Sequence, residues 1–323
     1  MWLVLLAAAA LPHAALAQAP AVFAGKEDAP NFQQRQGVYP EGGEAFCVPV
    51  SLADGVVWLA EHGYALLPGR DQETALVTAL AAKTHTDPMQ GTMWSDGRAG
   101  VADFLDDFYA PDRIITDWRG TGSNSYPGAA DWAWLREQVS RPDRVAVIER
   151  RRYFRTSYMG WNVYGAHAVF MSGYRSGAED RMQLHDPLRP VPQDLAMWPQ
   201  YSDEEIWYYK LDLPLAPPAG MPSDSEIEVR WSGAVVFGIA GEGDANKDGS
   251  VDHLDLGALA ENYRGEGRSW GQADFNADGL VDYLDLGLLA SHWHTAQPPD
   301  PPSLPEPLLV GLLPVLALLR RRR

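Results

Sequence analysis

The stretch Asp244-Ala-Asn-Lys-Asp-Gly-Ser-Val-Asp-His-Leu-Asp255 returns 30 residues later as Asp274-Phe-Asn-Ala-Asp-Gly-Leu-Val-Asp-Tyr-Leu-Asp285. The identities fall on the positions at which a twelve-residue loop presents oxygen atoms to a cation. Calcium is a hard cation that takes about six to eight oxygen ligands, and glycine at the sixth position allows the sharp turn of such a loop. The two copies therefore predict two calcium-binding loops in tandem.

Each loop is expected to supply five side chains and one backbone carbonyl to its ion. The first set is Asp244, Asn246, Asp248, the carbonyl of Ser250, Asp252 and Asp255, with Gly249 at the turn. The second set is Asp274, Asn276, Asp278, the carbonyl of Leu280, Asp282 and Asp285, with Gly279 at the turn. An acidic solvated linker could imitate one loop by chance, but two copies in register argue against that reading.

Each loop leads into a short helix with an apolar face, and position twelve is aspartate where an ordinary EF-hand has glutamate. Helices this short are unstable alone, so the two must pack together on the metal-organised loops. Residues 241–296 thus resemble a dockerin type I domain. The resemblance implies a small all-α domain with two calcium ions and a cohesin-like docking partner, in assemblies that degrade polysaccharides.

The charge of the chain is concentrated in this segment. The 323 residues carry a formal net charge of -17, and residues 241–296 hold eleven Asp or Glu against three Lys or Arg, a net charge of -8. A protein that binds nucleic acid needs clustered cations, so we expect no nucleic-acid partner. With 46% hydrophobic residues, the rest of the chain is long enough for a sizeable core, and two folded units are expected.

The N-terminus predicts export. Residues 1–17 are apolar and end in Ala15-Leu16-Ala17, which is typical of a secretory signal peptide and its cleavage site. The run lacks an initial Lys or Arg, and a buried N-terminal helix is the alternative.

The C-terminus predicts a sorting signal. Residues 297–307 are rich in proline and form a stiff linker. Residues 305–323, with Pro305-Glu306-Pro307, an apolar run and a final arginine cluster, resemble the PEP-CTERM signal, which implies processing by an exosortase and a location outside the cell or at its surface. The alternative is a short transmembrane segment held by its arginines. In either case, membrane contact would be made only through this tail.

Cys47 is the only cysteine, so the chain cannot form an internal disulfide. The residues that follow it have an apolar helical face, with Pro49 in the first turn. The thiol is therefore predicted at a helix N-terminus, where unpaired backbone amides lower the pKa of a thiol and favour the nucleophilic thiolate.

A hairpin is predicted to present an acid and a base. Residues 165–174 and 181–187 alternate as strands around a turn at residues 176–180. If the hairpin is symmetric, His167 and Asp186 are opposite each other on one face. The carboxylate would then fix the imidazole tautomer, and the other ring nitrogen could take a proton from a thiol. Arg150, Arg151 and Arg152 are interpreted as a solvated strand end.

Cysteine at a helix start, Gly-x-His on a strand and Asp-Pro after a hairpin resemble the papain-like cysteine peptidases, especially those similar to double-glycine leader peptidases. The resemblance implies an α+β fold for residues 18–240, in which the helix that carries the cysteine packs on an antiparallel sheet. It implies Cys47 as nucleophile, His167 as general base and acid, and Asp186 as orienting acid. The family usually has glycine where this chain has Val48. Its oxyanion-binding glutamine is assigned to Gln36, the nearest of three candidates upstream of the cysteine.

Three functions remain open from the sequence. The first is an exported cysteine hydrolase that acts on a peptide or protein through an acyl-thioenzyme and is displayed by its calcium module. The second is a non-catalytic surface protein, in which Cys47, His167 and Asp186 are only structural residues of a binding domain. The third, a glycan-acting enzyme, is suggested only by the dockerin-like segment, and no paired carboxylate motif supports it.

Overall fold

The computed structural model describes residues 22–26, 28–120, 131–156, 159–176, 180–201, 207–213, 221 and 225–293. The predicted signal peptide at residues 1–17, the linker at residues 297–307 and the sorting signal at residues 305–323 lie outside the described residues. Within the described ranges, no helix combines the length and the apolar character needed to cross a bilayer.

Six helices and eight strands make up the described part of the chain. The helices are α1 Cys47–Glu61, α2 Glu73–Lys83, α3 Trp94–Asp106, α4 Trp132–Ser140, α5 His253–Asn262 and α6 Tyr283–Ser291. The strands are β1 Val22–Gly25, β2 Ile114–Gly120, β3 Arg144–Thr156, β4 Met159–Ser176, β5 Asp180–His185, β6 Gln193–Tyr201, β7 Trp207–Leu211 and β8 Glu226–Ile239. Short 3-10 turns include Pro111–Arg113 and Trp270–Gln272.

The strands close into a barrel. Strand β4 pairs with β3 on one side and with β5 on the other, and β5 continues through β6 and β7 to β8. Strand β8 pairs back with β3, so six antiparallel strands form a ring without free edges. Strands β1 and β2 extend the ring by pairing with β4 and β8.

The predicted papain-like fold for residues 18–240, with the cysteine helix on an antiparallel sheet, is wrong, because this region contains a closed barrel. Within the ring, the local sequence pattern indicates only the β4–β5 hairpin. Closure depends on pairs such as Val147 with Val235, which are far apart in the chain and leave no local pattern to read. The small helical domain predicted after residue 240 is present and contains α5 and α6.

Alternating side chains of the central strands serve two separate cores. Val145 and Val147 face the helices α1, α2 and α3, whereas Ala146 and Ile148 face the barrel interior. The interior core draws apolar side chains from all six ring strands, and α4 adds Trp132, Trp134, Leu135 and Val139 to it. Both faces of the first half of β3, from Arg144 to Arg150, are therefore buried.

Helix α1 approaches the outside of the barrel closely at Gly55. A Cβ atom placed there would lie 2.7 Å from Phe237, 2.8 Å from Val145 and 3.3 Å from Phe170. These are side chains of β8, β3 and β4. Since α1 begins at Cys47, the absence of a side chain at residue 55 helps to set where the thiol lies relative to β4.

We expect Gly55→Ala to destabilise the protein by about 1–3 kcal/mol, because the added methyl group overpacks this contact. The control is Gly257→Ala in α5, where a new Cβ meets nothing within 4 Å. The free energy of unfolding of that variant should rise by up to about 1 kcal/mol, because alanine has a higher helix propensity than glycine. Denaturant unfolding of both variants tests the contact, and equal effects would contradict it.

Candidate active site and calcium-binding loops

Cys47 is the first residue of α1, as its sequence context predicts. The residue is partly buried and packs against the core that α1 shares with the barrel. One helical turn later, the hydroxyl of Ser51 donates to the carbonyl oxygen of Ala168 over 3.2 Å. This bond fixes the start of α1 against β4, one residue beyond His167.

The structure brings Cys47, His167 and Asp186 together. His167 lies on β4, and its Nε2 atom is 2.7 Å from Asp186 Oδ1. The Cys47 thiol and the imidazole lie close enough that each shifts the pKa of the other through hydrogen bonding and charge. Because Nε2 is engaged with Asp186, Nδ1 is the nitrogen left for the thiol. The thiol, the base and the orienting acid therefore lie next to one another in that order in space.

Asp186 reaches His167 from a different register than a symmetric hairpin would give. Phe170 pairs with His185, and a bulge lies between Met171 and Gly173. Continued by one residue, this register places Asp186 opposite Val169, two positions from the symmetric expectation. Asp186 follows the end of β5, where its side chain can turn towards the imidazole.

The electrostatics of the three groups favour an ion pair. Burial raises the pKa of the Cys47 thiol, but the hydrogen bond and charge of His167 and backbone bonds from Ala168 and Val48 outweigh it, so the pKa lies below its ordinary value. Burial lowers the pKa of His167, but Asp186 and Cys47 outweigh this and raise it. The imidazole therefore favours the nucleophilic thiolate form of Cys47.

Asp186 is held by more than the imidazole. Arg150 Nη2 donates to Asp186 Oδ2, and the backbone amide of Leu188 donates to Oδ1 over 2.9 Å. Burial alone raises the pKa of Asp186, but the bond to His167 and the charge of Arg150 outweigh it and hold the pKa well below its usual range. The carboxylate therefore stays ionised at neutral pH.

Arg150 is the functional candidate that the sequence reading missed. It was interpreted as part of a solvated strand end, but its side chain is buried, and its Nη1 atom donates to Gln193 Oε1 over 3.1 Å. Arg150 is also the Cα partner of His167 in the β3–β4 ladder. Its alternation with Ala146 and Ile148 on the inward face was the available signal.

Gln36 is engaged away from the thiol. Its amide nitrogen donates to the carbonyl oxygen of Gln33 and to Glu73 Oε1, each over 2.8 Å. Gln34 is buried, and its amide nitrogen donates to the carbonyl oxygens of Gly43 and Glu44. In this arrangement, both amide hydrogens of Gln36 and of Gln34 are used by other acceptors, and the predicted oxyanion role of Gln36 stays a prediction.

The two predicted calcium loops have the same internal geometry. In the first, Asp244 Oδ2 accepts from the Gly249 amide over 2.9 Å, and Asp255 Oδ2 accepts from the Asp252 amide over 2.8 Å. In the second, the equivalent bonds from Gly279 to Asp274 and from Asp282 to Asp285 measure 2.9 and 2.8 Å. Both turn glycines have a positive φ, +86° and +85°.

The remaining predicted ligands follow the same scheme. The third-position amide side chains, Asn246 and Asn276, accept from the backbone amides of the fifth-position aspartates, Asp248 and Asp278, over 2.9 and 3.0 Å. Those aspartates accept from the backbone amides of the seventh-position residues, Ser250 and Leu280, over 2.9 and 2.8 Å. Both loops are thus closed by their own polar atoms.

The loop carboxylates have the chemistry that a cation requires. Burial, with the nearby carboxylates of Asp255, Asp143 and Asp248, raises the pKa of Asp244 to about 7. Asp274 Oδ1 is buried and has no hydrogen-bond partner. Across the described residues, no group of three or more His, Cys, Asp or Glu side chains is drawn together for a metal. The loop carboxylates instead accept hydrogen bonds from backbone amides, and oxygen donors of this kind suit calcium.

Comparison with known families identifies this part of the chain. Residues 242–292 match the family model of the dockerin type I domain. Dockerin type I domains bind calcium and dock onto cohesin partners, so the prediction of a calcium-binding attachment module is confirmed for this segment. A search of curated proteins found no match to the chain.

The site predicts an unusual pH dependence for alkylation of Cys47. The rate with iodoacetamide should reach half of its plateau below the ordinary cysteine pKa of about 8.5, because the reactive form is the thiolate. His167→Ala removes the stabilising partner while burial remains, so the midpoint should rise. His62→Ala, at the other end of α1, is the control and should leave the profile unchanged. A wild-type midpoint at or above the ordinary value would contradict the ion pair.

Proposed function

We propose that the chain is an exported cysteine hydrolase, displayed at the cell surface through its dockerin-like part. The observation that carries the proposal is the contact series from Cys47 through His167 to Asp186. Its expected substrates are peptide or isopeptide bonds in a peptide or protein. The predicted signal peptide, exosortase processing and extracellular location belong to the same proposal.

The proposed reaction uses the groups in the order in which they touch. The Cys47 thiolate attacks the carbonyl carbon of the substrate, and the tetrahedral intermediate expels the amine, which takes a proton from His167. The resulting acyl thioester is attacked by water, whose proton returns to His167 as the acid product and the thiolate separate. Asp186 fixes the imidazole and stabilises its charged form throughout, and Arg150 keeps Asp186 ionised.

The dockerin-like part would attach the enzyme to its partner. We infer that each of the two loops holds one calcium ion through the predicted ligands, and that the module then docks onto a cohesin-bearing partner. The near-identity of the two loop geometries supports two ions, since each offers the same oxygen donors in the same order.

Cys47→Ala should abolish both labelling and hydrolysis. The test incubates the protein with a fluorescent thiol-directed electrophile and with a defined peptide library, whose new termini are read by mass spectrometry. Wild-type protein should be labelled and produce new termini, whereas Cys47→Ala should reduce cleavage by about a thousandfold or more. Because the chain has one cysteine, labelling reports that residue alone.

Comparison of His167→Ala with wild type separates catalysis from simple exposure of the thiol. A cysteine that is merely exposed would still be labelled in His167→Ala, because its labelling needs no base. Circular dichroism confirms that each variant is folded. Absence of peptide cleavage by well-folded wild-type protein across the library, together with unreactive Cys47, would contradict the hydrolase and leave a binding domain.

Removal of one fifth-position aspartate should remove one ion. Wild-type protein is expected to bind two calcium ions in isothermal titration calorimetry, and Asp248→Ala and Asp278→Ala are expected to bind one each. Asp103→Ala, a surface carboxylate paired with Lys83, is the control and should bind two. Unchanged stoichiometry in both loop variants would refute the ligand assignment.

A further inference from the structure

The chain passes from the barrel into the first calcium loop without a free linker. Strand β8 ends at Ile239, and the loop begins at Asp244. Within the short connection, the Ala240 amide donates to the carbonyl oxygen of Arg113 over 3.0 Å. In return, Arg113 Nε donates to the carbonyl oxygen of Ala240 over 2.7 Å. The connection is therefore held against the turn that precedes β2.

The first loop itself rests on the barrel domain. Arg144 Nη2, at the start of β3, donates to the carbonyl oxygen of Lys247 over 2.8 Å. The Lys247 ammonium donates to the carbonyl oxygen of Ile114 over 3.2 Å. A Cβ atom at Gly249 would lie 3.2 Å from the guanidinium of Arg141, so the turn of the loop also lies close to this side chain at the end of α4. The central residues of this loop thus contact β2, β3 and the end of α4.

Arg144 is itself held rigidly. Its guanidinium pairs with Asp143 at 2.9 and 2.7 Å and donates to Gln138 Oε1 over 3.0 Å. Arg144, Asp143 and Gln138 are all buried. A donor fixed in this way requires its acceptor, the Lys247 carbonyl, at one defined position, because a displaced acceptor would leave a buried charged group short of a bond.

Trp270 forms a second connection between the two parts. Its backbone amide donates to Asp112 Oδ2 over 2.5 Å, and the Arg113 guanidinium lies 4.5 Å from its ring centroid. Its indole nitrogen donates to the carbonyl oxygen of Asp244 over 2.8 Å. The apolar core around it combines Ile115 of the barrel domain with residues of the helical part such as Val251.

The second loop offers an internal comparison. Ala277 occupies the position equivalent to Lys247, and the two residues share the left-handed conformation, with φ of 57° and 59°. A Cβ atom at Gly279 would meet nothing within 4 Å. The hydrogen bonds described for residues 274–285 join them to residues of the same helical part, and their contact with the barrel domain is apolar, through the core that Phe275 and Val281 share with Ile115. The two loops therefore match in their ligands and differ in their surroundings.

We propose that calcium in the first loop is a structural ion of the barrel domain, because this loop makes the polar contacts to the barrel, whereas calcium in the second loop orders the helical part. Ligation orders the backbone of a calcium-binding loop beyond what its hydrogen bonds achieve. In the first loop, that backbone includes the acceptor of Arg144 and the anchor of Lys247. An ion that binds the ordered loop therefore also stabilises the contacts that Arg144 and Lys247 make between this loop and the barrel.

The test is hydrogen exchange on the full chain in calcium and in a chelator, read on peptides that cover residues 111–118 and 141–148. In wild-type protein, calcium should slow exchange in these barrel peptides by about tenfold or more. Asp278→Ala, which lacks the second-loop ligand, should keep this protection. Asp248→Ala, the matched change in the first loop, should lose it.

Lys247→Ala is the milder variant, because Ala277 shows that alanine fits this backbone conformation. It keeps every predicted ligand, so it should still bind two ions in calorimetry while calcium protects residues 111–118 less than in wild type. Equal loss of barrel protection in Asp248→Ala and Asp278→Ala would overturn the proposal. So would protection confined to the loops in wild-type protein, a result that would leave calcium binding itself intact.

Discussion

The pairing of β3 with β8 is the interaction on which the rest of the molecule depends. It closes the ring of six strands and leaves the first half of β3 buried on both faces. Arg144 at the start of β3 reaches the first calcium loop, and Arg150 further along the strand reaches Asp186. One long strand therefore connects the attachment module and the candidate active site through two buried guanidinium groups.

The candidate active site is a row of alternating charges in a poorly hydrated place. Arg150, Asp186, His167 and Cys47 alternate in sign when the thiol is ionised. Each member offsets the desolvation of its neighbour, so loss of one leaves an uncompensated buried charge. The row explains why a carboxylate this deeply buried stays ionised and why the imidazole between Asp186 and Cys47 is able to carry a proton.

The sequence predicted those parts that depend on local chemistry. The twelve-residue loops specify their geometry by ligand spacing and a glycine turn, and the start of α1 is marked by the apolar face that follows Cys47. The contact of His167 with Asp186 could be predicted from a hairpin alone. The predicted register was wrong by two residues, but the contact still forms because Asp186 lies beyond the strand end and its side chain can turn. The prediction of two loops with the dockerin pattern needed no knowledge of the barrel.

The parts that the sequence did not predict depend on distant pairing. Closure of the barrel follows from strands far apart in the chain, and without it the pattern of β4 and β5 was equally compatible with the wrong fold. Arg150 lies in a run of three arginines whose composition indicates solvent, and its alternation with Ala146 and Ile148 and its register opposite His167 together place it inside. The contrast between Lys247 and Ala277 is visible in the sequence, but its meaning depends on which loop lies against the barrel.

The short connection between β8 and the first loop has a consequence for how such a molecule would work. Residues 240–243 reach at most about 14 Å when fully extended, and Ala240 is bonded on both sides of its peptide unit to Arg113. A catalytic unit on a long flexible tether sweeps a volume and meets targets at random within it. In the proposed hydrolase, the barrel would be held in one orientation relative to its attachment module. The architecture of the scaffold, rather than diffusion of the enzyme, would then decide which bonds the site can reach.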